Sequence, residues 1–391
     1  MKVLITTDLY TTETNGVVTS VKNLAQVLTA RGHEVRILTL AKGSHSSQVD
    51  NVYYIRSLPI GFVYPDVRMP TSYHHRLIKE LIDWHPDIIH SQCEFFSFQF
   101  AEYVAKHTGA PVVHTYHTLY EQYVSYVLRI KGVGQKAVGH LSRLRLRKVD
   151  RIIAPTHKVE QVLRDYGVKA AISVIPSGIR LEQHFHRVSP EDRLARRTEL
   201  GLDANAQVLV NVGRIGNEKN LDEILQFFAQ LCPERDNLRL LLVGGGPAKE
   251  HLEELAKNLD IAQRVIFTGM IPPDKVQDYY QLGDVFVSAS TSETQGLTYV
   301  EAAANGLPLL CREDPCLQNV MSEGINGYTF TDADSFRQGL DAILSDENWL
   351  HQAKAHSQQI AATFSHEAFG EAVEEVYRTV TADNCRHAER N

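Results

Sequence analysis

Val208-Leu209-Val210-Asn211-Val212-Gly213-Arg214-Ile215-Gly216-Asn217-Glu218-Lys219-Asn220 is the stretch that decides the fold. Its first five residues form a short, largely apolar and β-branched run bounded by glycine, which predicts a buried strand. Residues 221–232 then repeat apolar positions at helical spacing. A strand, a glycine-bearing polar loop and a helix make one βα unit, and such units stack into parallel sheets with helices on both faces.

The same alternation runs outward in both directions. On the carboxyl side, Leu238–Val243, Arg264–Thr268 and Asp284–Ser288 are predicted strands, with helical patterns at 247–259, 274–282 and 297–304. On the amino side, residues 181–205 are charged and poor in β-branched side chains, which predicts a linker containing a helix. Before it, Val3–Thr7, Glu34–Leu40, Asp87–His90, Pro111–Thr115 and Arg151–Pro155 are predicted strands. Val17, Val21, Leu24, Ala25 and Leu28 mark a helix that Gly32 stops. The 391 residues therefore read as two successive doubly wound domains with a boundary near 180–205.

Composition limits the function classes. The chain is 43% hydrophobic and 22% charged, so it can bury two cores and is not globally disordered. Five cysteines, at 93, 232, 311, 316 and 385, fit reduced thiols rather than a disulfide framework or a zinc site. The N-terminal apolar run is too short for a secretion signal, and no stretch approaches a spanning length. The net charge of −7 is unevenly spread. Residues 1–180 hold 22 Lys and Arg against 14 Asp and Glu, and the remainder 18 against 33. A basic first half fits either ordinary drift in surface charge or an anionic partner, a membrane surface or a nucleic acid.

In doubly wound sheets, ligands bind where loops leave the carboxyl ends of strands and enter helices. Four such loops carry chemistry. Asn15-Gly16 opens the first helix and is either a turn or a close approach to an anion. Gly213–Asn220 sets Arg214 and Lys219 where a fork and a point charge could hold a diphosphate. Gly244-Gly245-Gly246-Pro247 borders a nucleotide or lets strand and helix pack closely. Thr291–Glu301 puts Glu293 in a loop and Glu301 in the helix that Gly296 and Leu297 begin. Carboxylates accept several hydroxyl hydrogen bonds and suit polyols, while the N–H groups of Gly296, Leu297 and Thr298 could meet phosphate. Glu301 could equally serve the helix dipole.

Gly16, Gly213-Arg214 with Lys219, Gly244–Gly246, Phe267-Thr268-Gly269 and Glu293…Glu301 together resemble the retaining glycosyltransferases of family 4. The resemblance runs from Met1 to about Val380. It implies the α/β GT-B fold, two Rossmann-like doubly wound domains with a cleft between them. Residues 1–180 would form an acceptor- and membrane-facing domain, with a helix at about 366–383 crossing back to it. Residues 181–365 would bind the sugar nucleotide. It further implies that Glu301 binds the ribose, Glu293 the sugar hydroxyls, Arg214 and Lys219 the diphosphate, and Gly16 that same diphosphate. Gly213, Gly244, Gly245, Thr268, Gly296, Leu297 and Thr298 would line the nucleotide. His117 matches the family's active-site histidine; alone it reads as a structural residue. The implied reaction is same-face attack assisted by the leaving phosphate. It needs no tightly bound cofactor and no metal, and no Asp-x-Asp metal pair is found at a loop end.

Within the family, Thr291–Thr298, Asn15–Val21 and His114–Tyr123 are similar to bacterial diacylglycerol glucosyltransferases. That implies a hexose, glucose, moving from UDP-glucose to diacylglycerol at the cytoplasmic face of the cell membrane. A glycan or an already glycosylated lipid as acceptor, or epimerisation of the sugar nucleotide, are the alternatives. Residues 119–148 offer physical support. Leu119, Tyr120, Tyr123, Tyr126, Val127 and Ile130 follow helical spacing, and Arg129, Lys131, Lys136, Arg143, Arg145, Arg147 and Lys148 come with no acid between Glu121 and Asp150. Such a segment suits peripheral binding to anionic lipid, or is a core helix followed by a solvated basic one. No nucleic-acid motif accompanies it.

Overall fold

A computed structural model describes residues 1–11, 16–60, 68–118, 133–184 and 188–388. The chain divides into two compact units, Met1–Gly178 with His366–Asn391, and Ile179–Ser365.

Unit 1 is built on nine strands among its described residues: β1 Lys2–Thr7, β2 Glu34–Ala41, β3 Ser47–Val49, β4 Val52–Pro59, β5 Arg68–Pro70, β6 Ile88–Ser91, β7 Val112–Thr115, β8 Arg151–Ala154 and β9 Ile172–Val174. Their order is β3-β4-β2-β1-β6-β7-β8-β9, with β5 paired to β4. All neighbours are parallel except β3 and β5, which run antiparallel to β4. β1 shows why the centre is doubly covered. Leu4 packs into one buried cluster, while Val3 and Ile5 pack into the other. Alternate side chains point to opposite faces of a strand, so an apolar run without polar interruption demands helices on both.

Unit 2 carries β10 Gln207–Val212, β11 Leu238–Val243, β12 Val265–Gly269, β13 Val285–Ser288, β14 Leu309–Arg312 and β15 Gly327–Phe330. They form a wholly parallel sheet in the order β12-β11-β10-β13-β14-β15. Val208, Val210 and Val212 face one core and Leu209 the other. In each sheet the order reverses beside its first strand, at β1/β6 in unit 1 and at β10/β13 in unit 2. Loops leaving two such strands diverge to opposite faces and open a crevice between them.

The segment read as a linker is more ordered than that. It holds helices Leu181–His184 and Pro190–Glu199, the second capped by Ser189 with Pro190 in the first turn. The buried Arg197 donates to Asp284 Oδ2, Leu282 O and Ala206 O. Asp284 in turn accepts from Val208 N at 2.8 Å, so this helix locks β10 to β13 at their amino ends. β14 and β15, like β3, β5 and β9, are three or four residues long and leave no periodic signal in the sequence.

The last helix, His366–Ala388, belongs to unit 1. Phe369, Val373, Tyr377 and Val380 join the cluster of Val21, Leu24 and Leu28 from helix Gly16–Ala30. At this seam Glu374 accepts from Arg31 Nε at 2.5 Å and from Arg378 Nη2 at 2.6 Å, and His33 Nε2 lies at 3.2 Å. Burial pushes its carboxyl up, but these hydrogen bonds outweigh that and hold it at about 2. A depressed folded-state value adds stability above the unfolded value near 4.5, which is lost as pH falls toward 2. Glu374→Ala should therefore lower the stability of unit 1 by about 2–4 kcal/mol at neutral pH. Urea titrations at pH 7 and pH 3 check this: the gap between variant and wild type should shrink at pH 3.

Candidate active site

The donor loops meet at the carboxyl edge of unit 2. Gly213, Gly244 and Thr268 sit at the ends of β10, β11 and β12. Gly213 N donates to Val243 O, Ile215 N to Gly245 O, and Gly244 N to Gly269 O. The triple glycine has a steric reason. A Cβ at Gly244 would lie 1.9 Å from Gly213 O, and one at Gly246 would lie 2.3 Å from Ile215 O. Gly244 also has φ +133, a value that side chains rarely adopt. Of the two readings of this motif, close packing is what the geometry displays. It lies between the two loops and brings the Arg214 loop against the Gly245 turn. Thr268 Oγ1 donates to the neighbouring Gly269 O, within the same edge.

Arg214 Nη1 donates to Glu218 Oε1 at 3.1 Å, with the Arg214 side chain about half exposed and that of Glu218 largely covered. Lys219 Nζ donates to Glu293 Oε1 at 2.5 Å. Ser290 Oγ donates to the same carboxylate oxygen, and Ser292 Oγ donates to Glu218 O. The loops after β10 and β13, the two strands at the order reversal, are thus stitched together through the residues the sequence singles out. Gly296 takes φ +73 and caps helix Leu297–Ala304 without a side-chain hydrogen bond. A helix start so capped leaves its first N–H groups for an outside acceptor. Leu297 and Thr298 carry those groups. Thr298 Cγ2 would be 3.8 Å from a Cβ on Gly213, which sets the helix start beside the Arg214 loop. Further along that helix, Glu301 Oε2 accepts from the buried Tyr280 hydroxyl at 2.7 Å. Burial pushes the Glu301 carboxyl up to about 7.

Unit 1 gathers a second polar group at the ends of β1, β6 and β7. The half-buried His117 pairs through Nε2 with Gln92 Oε1 at 2.8 Å. Burial, and then the nearby His114, hold His117 down to about 3, so it is a neutral ring throughout the physiological range. His114 Nε2 lies 3.4 Å from Glu94 Oε1. Asp8 accepts from Ser97 N at 2.8 Å, and burial pushes its carboxyl up to about 6. Gly16 is exposed at the first residue of its helix; Asn15 lies outside the described residues.

Of the basic segment, residues 119–132 lie outside the described residues, and so does the side chain of Lys136. Helix Val133–Leu146 follows, with Leu141 and Leu144 exposed among His140, Arg143, Arg147 and Lys148. Two members differ from a simple solvated run. Arg145 turns inward and donates to Phe95 O, while Lys148 pairs with Glu102 at 2.8 Å.

Sequence reasoning passed over four supporting residues: Tyr280 behind Glu301, Ser290 on Glu293, Glu218 on Arg214 and Gln92 on His117. Gln92 lies in a segment, His90–Glu94, that drew notice without a role. An Asp-x-Asp pair does stand at a loop end, Asp332-Ala333-Asp334, and was overlooked. Asp332 is spent as a helix cap, accepting from Ser335 N at 2.8 Å in a capping box.

Residues 14–183 match the sequence model of Glycosyltransferase Family 4, and residues 192–360 match Glycosyl transferases group 1. The chain is 35% identical over 389 residues to the alpha-monoglucosyldiacylglycerol synthase of Streptococcus pneumoniae (strain ATCC BAA-255 / R6), covering 98% of this chain and 87% of that one. It is 27% identical to the alpha-monoglucosyldiacylglycerol synthase of Acholeplasma laidlawii, covering 96% of each. Among solved structures it resembles Anabaena HepE in complex with UDP-glucose, with TM-score 0.74, 18% identity, and 97% and 100% of the two chains covered. Sucrose-phosphate synthase from Thermosynechococcus elongatus gives TM-score 0.76 at 21% identity, covering 98% and 100%. The chain belongs to glycosyltransferase family 4 and is a glycosyltransferase of the GT-B fold.

Proposed function

We propose that this enzyme transfers glucose from UDP-glucose to diacylglycerol at the cytoplasmic face of the membrane, with retention of anomeric configuration. The observation that carries the reading is 35% identity, over nearly the whole chain, to an alpha-monoglucosyldiacylglycerol synthase. In the reaction the bond from the anomeric carbon to the phosphate oxygen breaks. The acceptor oxygen bonds to that carbon on the same face, and its proton passes to the departing phosphate. UDP leaves.

The roles are those the family resemblance implies, and the geometry of the loops supports them. Arg214 and Lys219 offset the charge that grows on the diphosphate, the largest electrostatic demand of the step. Lys219 must then be shared between phosphate and Glu293, which keeps the carboxylate within reach of sugar hydroxyls. Leu297 and Thr298 offer N–H groups to phosphate beside Gly213, and Gly296 permits that close approach. Gly244, Gly245 and Thr268 flank the nucleotide. Glu301 accepts from the ribose. His117, neutral and fixed by Gln92, supplies a hydrogen bond near the sugar. No step in this scheme calls for a metal.

The exposed face of helix Val133–Leu146 suits an anionic bilayer. Leu141 and Leu144 can enter the interface while Arg143 and Arg147 meet lipid phosphates, each worth ~1 kcal/mol. No helix among the described residues is long and apolar enough to cross a membrane, and this contact is peripheral.

Three measurements test the reading. Incubated with UDP-glucose and diacylglycerol in vesicles containing anionic lipid, the protein should yield glucosyldiacylglycerol. Absence of product across a panel of donors and lipids would overturn the proposal, and conversion of UDP-sugar without acceptor would point to an epimerase. Arg214→Ala or Lys219→Ala should lower kcat by about 10²–10³ and leave vesicle sedimentation unchanged. Arg143→Ala with Arg147→Ala should do the reverse, weakening vesicle binding roughly tenfold or more while UDP affinity stays constant. Equal defects from both sets would refute the division between donor loops and membrane face.

A further inference from the structure

Glu293 and Glu301 are held in different ways, and the difference points to Tyr280. Glu293 is paired with a cation, Lys219. Glu301 is instead satisfied by a neutral donor, the Tyr280 hydroxyl, at 2.7 Å on Oε2. Tyr280 ends the short helix Val276–Tyr280 and is fully buried. Its ring lies 6.1 Å from Phe286, whose ring lies 5.9 Å from Tyr299, so the phenol has little freedom to leave its partner.

We propose that Tyr280 is the positioning residue for the nucleotide ribose, its hydroxyl fixing Oε2 of Glu301 so that an ionised carboxylate meets the ribose diol in one orientation. A lysine or arginine in its place would hold the carboxylate too, but would compete with the incoming hydroxyls for its lone pairs. A phenol gives one hydrogen bond and leaves the remaining acceptor capacity for the ligand. The inference rests on the ribose role proposed above for Glu301.

The groups around the helix that carries Glu301 support this. His184, on helix Leu181–His184, accepts from Asn305 Nδ2 and is kept neutral by burial, at about 4. Burial pushes the Cys311 thiol on β14 far up, so it is uncharged. On helix Glu347–Ala362, Ser357 donates to Leu307 O and Gln358 to Ala304 O, while His351, Lys354 and His356 are exposed. Among the described residues, Tyr280 is the titratable group bonded to the Glu301 carboxylate. Burial raises the Glu301 carboxyl and the Tyr280 hydrogen bond opposes that rise, leaving it at about 7. The carboxylate form binds the diol, so nucleotide affinity rises as pH climbs through 7 and falls by up to about tenfold per pH unit below it.

The test is UDP affinity from pH 5.5 to 9 for wild type, Tyr280→Phe and Glu301→Gln, repeated with 2′,3′-dideoxy-UDP. Tyr280→Phe should move the midpoint of the profile to higher pH and weaken UDP binding about three- to tenfold at pH 7. It should leave dideoxy-UDP binding unchanged. Glu301→Gln should weaken UDP binding and flatten the profile. A Tyr280→Phe profile superimposable on wild type overturns the positioning role, as does an equal loss for both nucleotides, which marks mere core damage. If Glu301→Gln binds both nucleotides like wild type, the ribose role of Glu301 fails instead.

Discussion

Two carbonyl oxygens, Gly213 O and Ile215 O, occupy the space where side chains at positions 244 and 246 would begin. The carboxyl edge of the sheet in unit 2 depends on that contact. It fixes the loop after β10 against the loop after β11, and the position of Arg214 follows. On its other side the same loop is tied to the segment after β13 through Lys219–Glu293 and Ser292–Glu218. Three loops are thereby made into one rigid edge. Electrostatic catalysis relies on dipoles and charges set before the reaction begins, and backbone contacts are stiffer than flexible side chains for that purpose.

Much of this was readable in advance, and the pattern of what was not is instructive. β1, β2, β10 and β11 announced themselves because a central parallel strand is apolar on both faces. β14 and β15 did not, although β6, β7, β8 and β13 are equally short and were read: β15, Gly327-Tyr328-Thr329-Phe330, begins on glycine, and the apolar part of β14 is only Leu309-Leu310-Cys311. Arg214, Lys219, Glu293 and Glu301 stand out in the sequence because the chemistry of phosphates and hydroxyls restricts residue types where loops enter helices, and the structure brings Lys219 and Glu293 together. Their neighbours do not stand out. Nothing in the sequence says that Tyr280 will reach Glu301, or that Gln92 will reach His117. Gln92 and His117 follow the adjacent strands β6 and β7, whereas Tyr280 and Glu301 lie on the helices before and after β13, more than twenty residues apart in each case. Arg145 and Arg147 look alike in a basic run, and only burial separates them. Asp332-Ala333-Asp334 teaches the converse: its spacing fits a metal pair, yet a helix start claims the first carboxylate.

The two carboxylates of the donor loop illustrate how environment divides identical groups. Glu293 lies beside a lysine and two serines and is held by charge. Glu301 lies over a buried phenol and is held by a neutral hydrogen bond, with burial opposing its ionisation. The first arrangement is an ion pair whose partners can be exchanged for other charges. The second leaves the carboxylate with acceptor capacity beyond its one phenol. A single helix, opened by a glycine that only a left-handed turn requires, separates the two settings by a few residues.

Helix His366–Ala388 completes the core of unit 1, yet it is synthesised after all of unit 2. On the ribosome, unit 2 can close its sheet as soon as its own residues emerge. Unit 1 cannot: Val21, Leu24 and Leu28 on helix Gly16–Ala30 stay uncovered, and Arg31 and His33 lack their carboxylate, until Phe369, Glu374 and Tyr377 arrive. The half that comes out first is thus the last to finish. A nascent chain spends most of its synthesis with an apolar stripe open to chaperones, and any premature stop before residue 366 leaves that stripe open for good.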